Sequence, residues 1–269
     1  MNGWFHIEQC KRTGHFTMPV NHFHDHYEIY YLLSGERFYF IHHKTYFVQT
    51  GDLVLIDKRL LHKTINTGVP NHERILVSFD EAFIDNAAEL CGVFRTGEPV
   101  VRRLAIDPLL LPELLQHMLT EQQSGDTHSQ LYIRSLLTQL LIACARTKQA
   151  DRRAEAQGSP PAYQSMSEIA RYMNEQFAAP LTLSSVARRF GFSPTYVSRT
   201  FKQATGFSFV EYLNNVRVRE AQRLLAETDW QVIRIAGEAG FQSIAHFGRV
   251  FKQISGRTPL QYRRYPGKK

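Results

Sequence analysis

Residues 186–212 read VARRFGFSPTYVSRTFKQATGFSFVEY, and residues 235–262 read IAGEAGFQSIAHFGRVFKQISGRTPLQY, which repeats the first stretch with one residue inserted. Such self-similarity indicates one structural unit that is present twice. In each copy a glycine, Gly191 or Gly240, separates two short segments with apolar residues at helical spacing. Glycine permits a tight turn that a side chain would oppose. The pattern therefore predicts two helix-turn-helix units.

A longer helix is expected between the two units, over roughly residues 208–227. A helix of this length spans about 30 Å, close to the ~34 Å that separates successive major-groove faces of B-DNA. The buried side of each second helix is expected to contain Val197 and Phe201 in the first unit and Phe247 and Phe251 in the second. The opposite sides can then enter neighbouring grooves of one duplex.

The charge is divided unequally along the chain of 269 residues. Residues 160–269 contain 16 Lys+Arg and 7 Asp+Glu, a net charge of +9, whereas residues 1–159 have a net charge of −2. A cationic excess confined to one part of a protein favours binding to nucleic acid. Between the parts, the polar stretch KQADRRAEAQGSPPA indicates a linker. We therefore expect a sensing and dimerisation domain over 1–147, a linker over 148–162 and a DNA-binding domain over 163–269.

The part before the linker contains both strand and helix patterns. Residues 26–80 carry short runs of Tyr, Phe, Ile and Val between turn residues, which predicts a small β-barrel or sandwich. We take the barrel as the expectation, within an α+β fold of two domains. Residues 109–123 and 129–147 are expected to be helical. The second helix has an apolar stripe that either packs on the β-structure or forms a dimer seam: Leu136, Leu137, Leu140, Leu141 and Cys144.

The segment IAGEAGFQSIAHFGRVFKQISGRTPLQYRR, residues 235–264, resembles the signature of the AraC/XylS family of bacterial transcription regulators, and the resemblance covers about residues 166–264. The family's two base-reading helices correspond to residues 193–204 and 243–254. The resemblance implies base contacts from Thr195, Ser198, Arg199, Ser243, His246 and Arg249, and phosphate contacts from Lys202 and Lys252. An arginine fork that bonds guanine discriminates by about 1–3 kcal/mol. Two positions depart from the polar pattern of the second helix, Ile244 and Ala245, and Arg217 is expected to be structural.

Eleven of the twelve histidines precede the linker, and three lie in HFHDHYEIYYLLSG, residues 22–35. On a strand, His22, His24, His26 and Glu28 would share one face. With the later His62, this arrangement is similar to the two cupin motifs, in which histidines and a glutamate hold a divalent metal. AraC-type regulators commonly carry a cupin as their sensing domain. The second motif departs from the pattern, since Asp57 and Arg59 stand where proline and glycine are expected.

The cupin resemblance implies two roles for these groups. His22, His24, Glu28 and His62 suit zinc, iron, manganese or nickel. Alternatively, His22, His24, Glu28, Tyr30 and His62 bind a small polar effector such as a sugar, because tyrosines supply flat apolar faces with hydroxyl groups. We favour the polar effector, with no cofactor, and the candidate tyrosines are Tyr30, Tyr31, Tyr39 and Tyr46.

Composition limits the class of protein. No run of 18 apolar residues occurs and the first residues do not resemble a secretory signal, so we expect a cytoplasmic protein. The three cysteines lack CxxC spacing, which argues against a disulfide framework or a thiolate zinc site. We expect a non-enzymatic regulator that binds promoter DNA as a homodimer under effector control, with RNA polymerase as a further candidate partner. The alternative is a cupin metalloenzyme with an attached DNA-binding domain.

Overall fold

The computed structural model describes residues 3–14, 24–85, 87–101, 110–150 and 161–264. The strands are β1 (Phe5–Arg12), β2 (Tyr27–Ser34), β3 (Glu36–Ile41), β4 (Lys44–Gln49), β5 (Leu53–Ile56), β6 (His62–Ile65), β7 (His72–Phe79) and β8 (Val100–Val101). The α-helices are α1 (Ala88–Cys91), α2 (Leu110–Ser124), α3 (Ser129–Ala150), α4 (Pro161–Glu175), α5 (Leu183–Arg189), α6 (Pro194–Thr205), α7 (Phe209–Glu227), α8 (Val232–Glu238), α9 (Ile244–Ser255) and α10 (Pro259–Arg264). The predicted α+β class is confirmed.

The strands form two antiparallel sheets, one of five strands in the order β1-β7-β2-β5-β8 and one of three in the order β4-β3-β6. Along β2 the side chains alternate, so that Ile29 and Tyr31 join one apolar cluster while Tyr30 and Leu32 join another that includes residues of the three-stranded sheet. Among the described strands no hydrogen-bonded ladder joins the edges of the two sheets. The expected closed barrel is therefore wrong, and the two sheets face each other as an open sandwich.

Helices α2 and α3 cover the outer face of the five-stranded sheet. The apolar stripe of α3 is fully inside the chain, because its five residues are buried in one cluster with sheet residues such as Ile29, Val77 and Phe79. Of the two alternatives for this stripe, packing on the β-structure is the one observed. None of the described helices has the length and apolar composition needed to cross a bilayer.

The helices after Pro161 confirm the duplicated pattern. The first unit consists of α5 and α6, the second of α8 and α9, and α7 joins them with 19 residues, or about 29 Å. Gly191 and Gly240 occupy the turns with φ of 74° and 82°, the left-handed region that favours glycine. The described chain breaks off at Ala150 and resumes at Pro161, so most of the expected linker lies outside the described residues.

Candidate DNA-binding surface and ligand site

Helix α6 presents a polar face opposite its core. Ser193 caps the helix by accepting the Tyr196 N–H, with Pro194 in the first turn, and Gly206 ends the helix in the left-handed conformation. Because Val197 and Phe201 are buried as expected, the helical period turns the other face outward. That face carries the exposed side chains of Thr195, Ser198, Arg199 and Lys202.

Helix α9 repeats this arrangement. Ser243 caps it by accepting the His246 N–H at 3.4 Å, and Gly256 ends it. Phe247 and Phe251 are buried, and the outward face carries exposed Ser243, His246, Arg249 and Lys252. The apolar Ile244 is also 47% exposed at the start of the helix.

Arg217 belongs to the framework rather than to this surface. Its Nε donates to the Phe177 carbonyl and its Nη2 to the Ala179 carbonyl, both at 2.9 Å, and the guanidinium lies 5.8 Å from the Phe241 ring centre. It thus connects the segment before α5 to the turn of the second unit, which confirms its expected structural role.

A buried cluster lies between the sheets. His24 Nε2 is 3.2 Å from Glu28 Oε2, and His62 Nε2 is 3.8 Å from Glu28 Oε1. The Tyr39 hydroxyl donates to Glu28 Oε1 at 3.2 Å. These candidate ligand atoms of His24, Glu28 and His62 all lie within 4.8 Å of one another.

Both histidine rings are oriented by backbone carbonyls. His24 Nδ1 lies 2.8 Å from the His26 carbonyl oxygen, and His62 Nδ1 lies 2.8 Å from that of Leu60. A carbonyl oxygen can only accept a hydrogen bond, so each Nδ1 must carry the hydrogen that it donates. In a neutral ring, the lone pair of each Nε2 is then directed at the Glu28 carboxylate. Either a proton between the nitrogen and the carboxylate, carried by one of the two groups, or a cation between them makes this arrangement favourable.

The sequence predicted this cluster by an incorrect route. Strand β2 begins at Tyr27, so His24 and His26 precede it and do not share a strand face with Glu28. Their rings instead stack at 3.7 Å, in a bend that brings His24 back over Glu28. His22 lies outside the described residues.

Arg59 stands where the second cupin motif has a glycine, and the structure shows how an arginine fits there. This residue has φ of 59°, the left-handed conformation that glycine would adopt at the position. Its backbone N–H donates to the His24 carbonyl at 2.7 Å, and its guanidinium pairs with Asp25. Arg59 therefore fastens the loop before His62 to the segment that carries His24, a role that the sequence pattern did not indicate.

The tyrosines divide between the two sides of the five-stranded sheet. Tyr30 and Tyr39 are buried between the sheets with ring centres 5.1 Å apart, and Tyr46 packs beside them half-buried. Tyr31 faces the helices instead. Burial raises the pKa of Tyr30 to about 12, and its hydroxyl has no hydrogen-bond partner among the described residues.

Comparison with known families matches both regions of the chain. A model of the helix-turn-helix domain matches residues 186–265, and a model of the AraC-like ligand binding domain matches residues 4–141, half of the chain. The first match contains α6 and α9, and the second contains the cluster between the sheets.

Similar proteins are named as regulators. The Msm operon regulatory protein of Streptococcus mutans is 22% identical over 262 residues, which are 96% of this chain and 90% of that protein. The uncharacterized HTH-type transcriptional regulator YijO of Escherichia coli is 38% identical over 96 residues, 36% of this chain and 34% of YijO. YtdP of Bacillus subtilis, with the same description, is 37% identical over 118 residues, 44% of this chain and 15% of YtdP. The matched segment thus spans about a third or less of the length of YijO and YtdP.

Solved structures resemble the chain in part or along its length. The C-terminal domain of AraT, a response regulator from Geobacillus stearothermophilus, is 33% identical over 41% of this chain and 89% of its own, with a TM-score of 0.38. ToxT from Vibrio cholerae is 14% identical over 96% of both chains, with a TM-score of 0.39.

Proposed function

Because this chain belongs to the AraC/XylS family of transcription regulators, we propose that α6 and α9 read promoter DNA and that the cluster between the sheets binds the effector. The DNA-reading role rests on one observation: the polar face is exposed on both α6 and α9, while the apolar face of each helix is buried. The net charge of +9 over residues 160–269 supports the same assignment.

Within this surface, Arg199 and Arg249 are proposed as the main base readers, together with Thr195, Ser198, Ser243 and His246. Lys202 and Lys252 lie in the last turns of α6 and α9 and are assigned to phosphates. An arginine can bond guanine O6 and N7 together, whereas a lysine on a phosphate adds affinity without base discrimination.

The test uses a duplex selected from a random pool by the full chain. Arg199→Ala and Arg249→Ala should each reduce discrimination between the selected site and a single base-pair variant by about 1–3 kcal/mol. Lys202→Ala should weaken binding to all duplexes alike. It should also make the slope of log K against log salt less steep by about 0.9, the value for one phosphate contact. Arg223→Ala is the matched control, because Arg223 is already paired with Glu220 and Glu227. Unchanged base preference in both reader variants would refute the assignment.

For the effector we propose a sugar or a related polar metabolite, bound by His24, Glu28, Tyr30 and His62, with His22 as a further candidate. The imidazoles and the carboxylate offer hydrogen-bond donors and acceptors, and the buried Tyr30 and Tyr39 rings supply apolar faces. A thermal-shift screen of sugars and sugar derivatives tests this proposal. A ligand that raises Tm should lose its effect in Glu28→Gln, and an equal shift in that variant would place the ligand elsewhere.

A divalent metal is the second candidate, favoured by the two Nε2 atoms that face the Glu28 carboxylate. In tetrahedral zinc with Zn–N bonds of ~2.0–2.1 Å the ligand atoms are ~3.3 Å apart, and the two nitrogens lie 3.2 and 3.8 Å from the carboxylate oxygens. A bound metal would act as a Lewis acid. Elemental analysis of protein purified without chelator should find one metal per chain in the wild type and none in a variant that combines His24→Ala with His62→Ala. Metal-free wild-type protein would exclude this candidate and, with it, the metalloenzyme alternative, which the regulator names of the relatives already disfavour.

We also propose that residues 1–147 and 163–269 act as the sensing and DNA-binding domains around the linker 148–162, that the protein works as a homodimer, and that RNA polymerase is a further partner. Because the α3 stripe is buried within the chain, the dimer must use another surface. Sedimentation of the full chain measures this directly.

A further inference from the structure

Strands β3 and β6 carry two sets of side chains on opposite faces. Tyr39 on β3 and His62 on β6 point into the buried cluster with Glu28. Their immediate neighbours, Phe40 and Lys63, point the other way, because successive side chains on a strand alternate. The three-stranded sheet is thus one layer thick between the candidate effector site and whatever covers its outer face.

The outer face is covered by the first helix-turn-helix unit. Phe40 packs edge-on against Phe207 and Tyr212, with ring centres 5.9 and 5.7 Å apart. Together with Leu61 and Ile65, Phe40 belongs to the same buried cluster as the core of α4, α5 and α6. The sheet therefore completes the hydrophobic core of this unit.

Hydrogen bonds from the sheet meet the end of α6. The Thr45 hydroxyl donates to the Ala204 carbonyl at 2.6 Å, and Lys63 Nζ donates to the Gly206 carbonyl at 2.8 Å. The last carbonyls of a helix lack partners within the helix, and they carry a partial negative charge that an ammonium group complements. Tyr212, near the start of α7, donates its hydroxyl to the His42 carbonyl at 2.7 Å. The sheet thus holds α6 at the end opposite its first reading residue, Thr195.

We propose that the three-stranded sheet is the surface through which the effector site controls α6, with Phe40, Thr45 and Lys63 as positioning residues that dock the first reading helix. The inference rests on the proposed functions of the cluster and of α6. A ligand that shifts Tyr39 or His62 shifts the adjacent residue on the same strand, because the two are joined by one peptide unit. The docked and undocked positions of α6 then bind the ligand with different affinity, as coupling requires. The bonds of Thr45 and Lys63 join the sheet to α6, so control falls on the part of the DNA site that α6 reads.

A double-mutant cycle on the full chain tests the coupling. Glu28→Gln perturbs the cluster, and Thr45→Val combined with Lys63→Met removes the two bonds to α6. The measured quantity is affinity for the selected duplex. Glu28→Gln should change it at least about fivefold in the wild-type background and less than about twofold in the Thr45→Val, Lys63→Met background. Lys58→Met is the matched control, because Lys58 is paired with Glu81, and in its background the fivefold effect should persist.

Hydrogen exchange provides a second readout that needs no DNA. Amides of residues 200–212 should exchange faster in Thr45→Val, Lys63→Met and also in Glu28→Gln, while those of 250–262 stay unchanged. The coupling is overturned if Glu28→Gln leaves residues 200–212 unaffected, or if its effect on DNA affinity is equally large after the two docking bonds are removed. If wild-type protein binds no duplex, the proposed function fails, whereas the exchange data still decide the docking.

Discussion

The two helix-turn-helix units have nearly the same sequence pattern but different surroundings. The core of the first unit includes Phe40, Leu61 and Ile65 from the three-stranded sheet and the loop before β6, whereas among the described residues the core of the second is made of residues within 218–262. At the end of α6, a Cβ added to Gly206 would lie 2.9 Å from the Lys63 side chain; at Gly256, the equivalent end of α9, it would meet nothing within 4 Å. Duplication thus supplied two helices with exposed polar faces, of which α6 is docked to the three-stranded sheet.

One position in the repeat marks this difference. Phe207 follows Gly206 in the first unit and is fully buried, packed against Phe40 and Tyr212. The equivalent residue of the second unit is Arg257, which is only half-buried. An aromatic residue is favourable at this position only where a second apolar surface covers it. The first unit, which the sheet covers, therefore has Phe207, and the second unit has Arg257.

The largest expected effect comes from removing that aromatic ring. Phe207→Ala should lower the free energy of unfolding by about 3–5 kcal/mol, because it leaves a cavity between the sheet and the first unit. Arg257→Ala should lower it by about 1 kcal/mol or less, as is usual for surface substitutions. Urea denaturation of the full chain measures both. Equal losses would mean that the two units do not differ in packing.

Much of this organisation could be predicted from the sequence because it depends on local patterns. The turn glycines and the apolar spacing of α5 to α9 are short-range signals, and the helices lie where these signals predicted them. The contact between the sheet and α6 joins Thr45 to Ala204, 159 residues apart. No local pattern encodes such a pairing, and the Phe207 and Arg257 difference becomes meaningful only once the sheet is in place.

The candidate ligand site shows the same limit. Residue types identified His24, Glu28 and His62, since imidazoles and carboxylates in a cupin-like order are a chemical signal. The strand alternation used to group them was wrong, because His24 reaches Glu28 through a bend at Asp25 and His26. That bend is held by Arg59 from another loop, and a left-handed arginine in place of a glycine cannot be deduced from spacing.

The turn glycines give a second contrast between the units, of intermediate size. Gly191→Ala places a side chain in the left-handed region but in open space, so it should cost about 1–2 kcal/mol of stability. Gly240→Ala has the same backbone penalty, and its Cβ would also lie 2.7 Å from the Phe177 carbonyl oxygen and 2.9 Å from the Ala178 Cα. These are backbone atoms that cannot rotate away, so we expect a further loss of about 1–3 kcal/mol.

Thermal or urea unfolding of the two glycine variants measures the difference. A control is Gly256→Ala, which has the backbone penalty at φ of 71° without a neighbour within 4 Å, and it should behave like Gly191→Ala. A larger loss for Gly191→Ala than for Gly240→Ala would contradict the packing of the second unit's turn against the segment before α5.

The smallest expected effect is a pH dependence confined to the docked unit. Burial, with Arg219 and His43 nearby, lowers the pKa of His42 to about 4 from its ordinary value of 6.5. The unfolded chain therefore binds more protons between these values, and the stability that neutral His42 contributes is complete above pH ~6.5 and is lost as the pH falls toward ~4. Between about pH 7 and pH 5.5 the loss should be on the order of 1 kcal/mol.

Hydrogen exchange of residues 205–213 should report this loss of stability, while that of residues 255–263 should not. His42→Asn tolerates the left-handed φ of 58° at this position and should reduce the pH dependence, leaving the part that comes from His43, whose pKa burial also lowers. An undiminished pH dependence in His42→Asn would assign it to another group, such as His72, whose pKa burial also lowers to about 4.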